Sequence, residues 1–177
     1  MFYLKGGGNM GKVIRITKDR GRKMASIFDV ANYFLTKLAY EDESSITPLK
    51  LQKLCYYAQA WSFAWDENKL FDEDFQAWAH GPVNPQLYDK YKVYGARDIP
   101  IPEEADFSMF NEDQKETMDV VWNEYGIYDG KYLERLTHQE APWKDARRGY
   151  DPGDRCTNTI TKQSIKEYFV RLNAQEY

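Results

Sequence analysis

A mainly α fold is predicted: one compact domain of about six helices with one or two short strands, built round a central apolar helix near residues 48–65. Three observations predict it. Apolar residues recur at spacings of three and four along most of the chain. Cap residues, twice followed directly by proline, stand in front of those runs. Stretches that alternate apolar with polar are short. The length of 177 residues and an apolar content of 42% suit one core, and they exclude both a disulfide-stapled miniature and a multidomain architecture.

Residues 1–23 read as a basic appendage, with Gly6-Gly7-Gly8 as a flexible lead and the alternating Val13-Ile14-Arg15-Ile16-Thr17 as one short strand. Met24 follows this tail and precedes the first helix signal, which makes it an alternative translation start; the helical domain is taken as 24–177. Ser26 with Asp29 forms a capping box, and Ile27, Val30, Ala31, Phe34, Leu35 and Leu38 give the first helix its apolar face. The run Glu41-Asp42-Glu43-Ser44-Ser45 is a loop, and Thr47-Pro48 opens the central helix.

That helix is apolar round most of its circumference, as befits the middle of a domain. Leu51, Leu54, Cys55, Ala58, Trp61 and Trp65 make one face, extended by Tyr57, Ala60 and Ala64. The stripe Gln52, Tyr56, Gln59, Phe63 mixes polar and aromatic groups, which leaves three readings open: a groove, a partner, or a polar inner seam. After Asp72-Glu73-Asp74, residues 75–80 form a strand or extended segment ending at Gly81-Pro82. Asn84-Pro85 opens a third helix through Leu87, Tyr88, Tyr91 and Tyr94 to Gly95, and residues 97–108 are a loop. Asn111 with Gln114 starts a fourth helix with Met118, Val121, Trp122 and Tyr125. Asp129 caps a fifth through Tyr132, Leu133 and Leu136, leading to an irregular segment at 137–143 and a turn-rich passage at 149–159. Thr161 and Ser164 begin the last helix, with Ile165, Tyr168, Phe169 and Leu172 inward.

The chemistry of the chain is sparse. Cys55 and Cys156 show neither metal spacing nor a disulfide framework, so a reducing, cytoplasmic setting is expected. The longest uncharged apolar-rich run, 54–65, falls short of the about 20 residues a membrane span needs, and no apolar leader is visible. Phosphate-binding glycine loops, nucleophile elbows and zinc-protease motifs are absent. His80 and His138 both stand at element ends beside proline and tryptophan, where a histidine more often anchors a loop than catalyses. A hydrolase using either with a carboxylate is the enzyme alternative. The acidic runs lack the spacing of a calcium loop and read as solvated faces, so no metal and no cofactor is expected.

Charge is divided unevenly. Seven basic residues against Asp19 alone give residues 1–23 a charge of +6, and the remaining 17 basic and 27 acidic side chains give the body −10. Such a body suits a basic partner better than nucleic acid, so DNA binding is not expected. Arg147-Arg148, near Trp143 and Lys144, is the densest basic group in the body; its structural reading is a helix C-terminus with ion pairs to Asp145 or Asp151.

Four ordered segments together resemble one family: 49–61 (LKLQKLCYYAQAW), 77–88 (AWAHGPVNPQLY), 136–143 (LTHQEAPW) and 160–169. The chain is similar in these to Panacea-domain proteins, the SocA-like antitoxins, also called the phage-associated GepA family, over about residues 24–172. The resemblance implies a non-catalytic domain of a type II toxin–antitoxin or phage-defence pair. Such a domain neutralises a cognate toxin, usually encoded next to it, by binding that masks the active site. Some members instead act as proteolytic adaptors that hand the toxin to a cytosolic protease. Toxins of the family include alarmone-synthetase-like enzymes that modify nucleotides or tRNA. The N-terminal tail is too short for the DNA-binding module that some members carry. Candidate partner contacts are Tyr56, Gln59 and Phe63 on the mixed stripe, Trp78 and His80 beside the Gly-Pro turn, and Trp143 with Arg147, each with packing as its competing reading. A homodimer, or a two-plus-two complex with toxin, is expected from the frequency of symmetric assemblies.

Overall fold

The computed structural model describes residues 24–40 and 45–175; the appendage 1–23 and the acidic run Glu41 to Glu43 lie outside the described residues. Among these residues seven α-helices and three short strands follow in order: α1 Ile27–Lys37, α2 Pro48–Trp65, β1 Phe75–Trp78, β2 Gly81–Val83, α3 Pro85–Tyr91, α4 Glu112–Tyr125, α5 Gly130–Thr137, α6 Ala141–Ala146, β3 Thr159–Ile160 and α7 Lys162–Ala174.

The caps form where their residues predict them. Ser26 and Asp29 satisfy each other's backbone amides ahead of α1, and Asn111 with Gln114 does the same ahead of α4. Thr47, Asn84, Asp129 and Thr161 each accept a backbone N–H at the starts of α2, α3, α5 and α7. Two features go beyond the sequence reading. α6 begins inside the segment read as irregular, with proline in its first turn, and β3 begins at the last residue of the turn-rich passage. β1 is the middle strand of an antiparallel sheet in the order β2-β1-β3, with Ala77 opposite Pro82 and Phe75 opposite Ile160.

α2 is the axis of the domain, packed by α1, α3, α4, α5, α7 and β2, and it is buried without a break from Lys50 to Phe63. Its polar residues are therefore inside, and each must find a partner there. Gln59 caps the backbone of the 70–71 turn: its Oε1 accepts from Leu70 N at 2.7 Å and its Nε2 donates to Phe71 O at 2.9 Å. Gln52 makes a two-bond clasp with the Asn84 backbone, at 3.0 and 2.9 Å. Lys50 Nζ donates to Gly126 O at 2.6 Å, and Lys53 Nζ to Pro82 O at 3.0 Å. The mixed stripe is thus a polar inner seam, with Tyr56 packed edge-on to Phe75 and Phe169.

Gly81 is required at the β1–β2 turn on two counts. Its φ of +92° lies in the left-handed region, and a Cβ there would stand 2.7 Å from Thr137 Oγ1 and 2.8 Å from Lys53 Cε. The turn is therefore pressed onto α2 and α5 with no room for a side chain.

Candidate functional site

The β1–β2 turn carries two of the seven candidate residues to one place. Trp78 and His80 line a groove of about 220 Å³ between the start of α2, this turn and α3, together with Leu49, Leu87, Tyr88 and Tyr91. Trp78 meets Tyr88 edge to face, with ring centroids 5.0 Å apart, and its indole N–H donates to Gln76 Oε1 at 2.8 Å. Tyr88 is 42% exposed, so one wall of the groove offers an aromatic face to solvent. α3 turns inward through Leu87 and Tyr91 because Asn84 and Pro85 fix its first turn, which leaves Tyr88 on the outer side.

His80 stands at the groove's edge with its side chain 67% exposed, and its Nδ1 lies 3.1 Å from Glu134 Oε1 on α5. Lys131 donates to the other carboxylate oxygen at 3.0 Å. Burial alone would raise the Glu134 carboxyl, but the hydrogen bonds from Lys131 and His80 hold it below its ordinary value. An ionised Glu134 accepts only, so Nδ1 is the protonated nitrogen and Nε2 is the basic one in the neutral ring.

Behind the turn lie the groups that hold it. Lys53, fully buried, is pushed down to about 7 by desolvation, against the attraction of Glu134. Trp143 Nε1 donates to Trp78 O at 2.9 Å, and His138 stacks on the Trp143 ring at 4.0 Å, its pKa lowered chiefly by burial. Arg147 is buried and donates to four backbone carbonyls: Ala77 at 2.8 Å, Asp151 at 2.7 Å, Pro152 at 3.2 Å and Asp154 at 3.0 Å. Of the ion pairs expected for Arg147-Arg148 with Asp145 or Asp151, Arg148 makes the one to Asp145, at 2.9 Å, whereas Arg147 bonds to main chain instead. A planar guanidinium can gather carbonyls from two segments at once, which is what the irregular 149–159 passage needs to be held against β1.

Of the remaining candidates, Tyr56, Gln59 and Phe63 are in the core, and Trp143 and Arg147 lie beneath the sheet rather than on the surface. Sequence reasoning missed Tyr88, which its spacing of three from Tyr91 marks only as helical, and Glu134, whose place opposite His80 depends on the packing of α5. It also missed Glu140. This residue precedes α6 as its cap but gives no cap hydrogen bond, because its carboxyl points inward and accepts from the Tyr57 hydroxyl at 2.8 Å. Burial pushes it up to about 8, against the hydrogen bond from the Tyr57 hydroxyl. Its second oxygen and the Tyr56 hydroxyl are both buried without a hydrogen-bond partner.

Among the described residues no group of three His, Cys, Asp or Glu side chains could hold a metal ion, and no helix is long and apolar enough to cross a membrane. Cys55 and Cys156 are buried free thiols, and burial raises that of Cys55 far above its ordinary value.

No curated protein and no solved structure matches the chain. The family model described as antitoxin SocA-like, Panacea domain, matches residues 51–144, which hold most of α2, the β1–β2 turn, α3 and α5, and so Trp78, His80, Tyr88 and Glu134. With just over half of its length matched, the chain belongs to the family of SocA-like antitoxins with a Panacea domain.

Proposed function

We propose that this protein neutralises a cognate toxin by direct binding that masks the toxin's active site, within a type II toxin–antitoxin or phage-defence pair in the cytoplasm. What carries the reading is an exposed aromatic groove inside the span that matches an antitoxin family. Tryptophan and tyrosine walls that are already ordered lose little entropy on contact, and such residues dominate interface energies. Trp78, His80 and Tyr88 make the contact. Trp143 and Arg147 set its shape from below, and Tyr56, Gln59 and Phe63 act through the central helix.

The charge of the body supports a basic partner. A toxin that acts on nucleotides or RNA holds phosphates with lysine and arginine, and a body of −10 steers toward such a surface. The test is co-expression with the neighbouring open reading frame, scoring growth and then co-purification. Growth arrest by the neighbour, relieved by this protein in a stable complex, is the expected result. Tyr88→Ala should weaken that complex about tenfold, in line with loss of one aromatic anchor. A harmless neighbour would refute the pairing, and relief with no complex but loss of the toxin would replace masking by proteolytic delivery.

One observation favours a second reading. His80, oriented by Glu134 at the edge of an apolar groove, has the arrangement of a general base, as a hydrolase would need. Alanine at both His80 and His138 that leaves neutralisation intact removes it, and takes His80 out of the contact as well.

A further inference from the structure

The aromatic groove continues onto α5, and two contacts tie them together. A Cβ added at Gly130 would stand 3.1 Å from Leu49 Cγ, so α5 starts hard against a wall of the groove. Four residues on, Glu134 holds His80 at the groove's edge. On the outer side of α5, Tyr132 is 40% exposed and stacks on Tyr128 with ring centroids 4.1 Å apart. Arg135 lies over the Tyr132 ring, 5.7 Å from its centroid.

Charge at this end runs against the rest of the body. Residues 75–95 and 129–138 hold Lys90, Lys92, Lys131 and Arg135 against Asp89, Asp129 and Glu134, a balance of +1 in a body of −10. All three carboxylates are engaged: Asp89 by Lys92 at 2.7 Å, Asp129 by the Tyr132 backbone N–H at 2.6 Å, and Glu134, only 12% exposed, by Lys131 and His80. The Lys131 side chain stays 61% exposed, and Arg135 is exposed too. This face therefore offers a partner apolar surface edged by cations, the complement of an acidic segment. The groove's volume of about 220 Å³ falls below the about 300 Å³ at which small-molecule sites begin, so it has room for one large side chain but not for a nucleotide.

We propose that the groove and the outer side of α5 together seat an acidic segment of the toxin, with one large apolar side chain against Trp78, Tyr88 and Leu49 and its flanking carboxylates on Lys131 and Arg135. The identity of the partner rests on the antitoxin reading; the chemistry of the segment does not. The seat anchors the complex beside the masked site, and the acidic remainder of the body is what faces the toxin's phosphate-holding cations. Its charge pairs lie at the surface, so they weaken as salt rises.

Two measurements on the full chain test this, the first without toxin. The isotope-labelled protein is titrated by NMR with a short synthetic peptide that places phenylalanine between glutamates, and with its counterpart that carries lysines. The glutamate peptide should shift the Trp78 indole and the Tyr132 amide and bind about fivefold tighter than the lysine peptide, a preference that should fade at about 500 mM salt. Equal binding, a preference for lysine, or no shift at these positions overturns the proposal. The second measurement is calorimetry with the product of the neighbouring open reading frame. Arg135→Glu should weaken that complex about tenfold and leave the urea midpoint in place, and Arg135→Lys should restore most of the loss. An unchanged affinity overturns the proposal, and a tighter complex would set the toxin's basic site on this face and overturn it as well. A neighbour that proves harmless while the glutamate peptide still binds at Trp78 and Tyr132 would refute the antitoxin reading and leave the acidic-segment seat standing.

Discussion

Two buried titratable groups, both on or against α2, give folding stability a pH profile that can be worked out in advance. Glu140 sits at about 8 in the folded protein against an ordinary 4.5. Because the folded state binds this proton more tightly, its contribution is complete below 4.5 and is lost as pH rises through 8. At about 1.4 kcal/mol per unit, the loss across that window is about 5 kcal/mol. Lys53 sits at about 7 against 10.5, so here the unfolded chain binds the proton more tightly. Stability therefore rises by a comparable amount, about 5 kcal/mol, between 7 and 10.5. The two limbs meet in a stability minimum near pH 7–8. His138, lowered by burial, tilts the profile upward only below about 6.5, and Glu134 and Asp106, both lowered, act only at still lower pH. Urea midpoints read by tryptophan fluorescence from pH 5.5 to 9.5 isolate the effect. Glu140→Gln should flatten the acid limb and Lys53→Met the alkaline one, each leaving the other in place. A Glu140→Gln protein with the wild-type slope between pH 6 and 8 would refute the assignment of a buried neutral carboxyl.

Three further outcomes follow from single contacts. Gly81→Ala places a Cβ against Thr137 and Lys53 at a φ of +92° and should cost about 3 kcal/mol, seen as a lowered urea midpoint. Glu67, the first residue beyond the α2 cap, has a φ of 58°, so Glu67→Gly should raise stability by about 1 kcal/mol in the same assay. Arg147→Lys keeps the charge but not the fork, cannot hold the buried Ala77 carbonyl and the 151–154 carbonyls together, and should cost about 2 kcal/mol; hydrogen exchange should then quicken first in residues 149–159.

Helix ends and the central position of α2 were legible because they depend on neighbours in sequence. Ser26, Thr47, Asn84, Asn111, Asp129 and Thr161 each cap the helix that follows them. The mixed stripe on α2 was legible as unusual but not as internal: a glutamine facing solvent and one capping a buried turn have the same spacing, and only the return of residues 70–71 decides. α6 is six residues long and takes its cap position from a glutamate that turns away, so it leaves no propensity signal strong enough to read. The groove was half legible. Trp78 and His80 stand beside a Gly-Pro turn, whereas Tyr88 and Glu134 join them only through the folding of α3 and α5 onto α2.

The groove's shape is determined from behind rather than by its own walls. The Trp78 carbonyl is held by the Trp143 indole, the Ala77 carbonyl by Arg147, and the Pro82 carbonyl by Lys53, so three successive anchors fix the two strands and the turn between them. Gly81 admits no side chain that could relax this arrangement. A partner meeting Trp78 and Tyr88 therefore meets a surface already set, and preorganisation of this kind lowers the ordering cost of association. It also separates two classes of variant. Changes at Tyr88 should alter affinity with little change in stability, whereas changes at Trp143 or Arg147 should alter both, because they release the turn that carries Trp78 and His80. A Trp143→Phe protein removes one hydrogen bond to the Trp78 carbonyl while keeping the ring that stacks on His138, and should weaken the toxin complex severalfold and lower stability by about 1 kcal/mol. Affinity untouched by Trp143→Phe, measured by calorimetry beside Tyr88→Ala, would place the toxin contact elsewhere on the molecule.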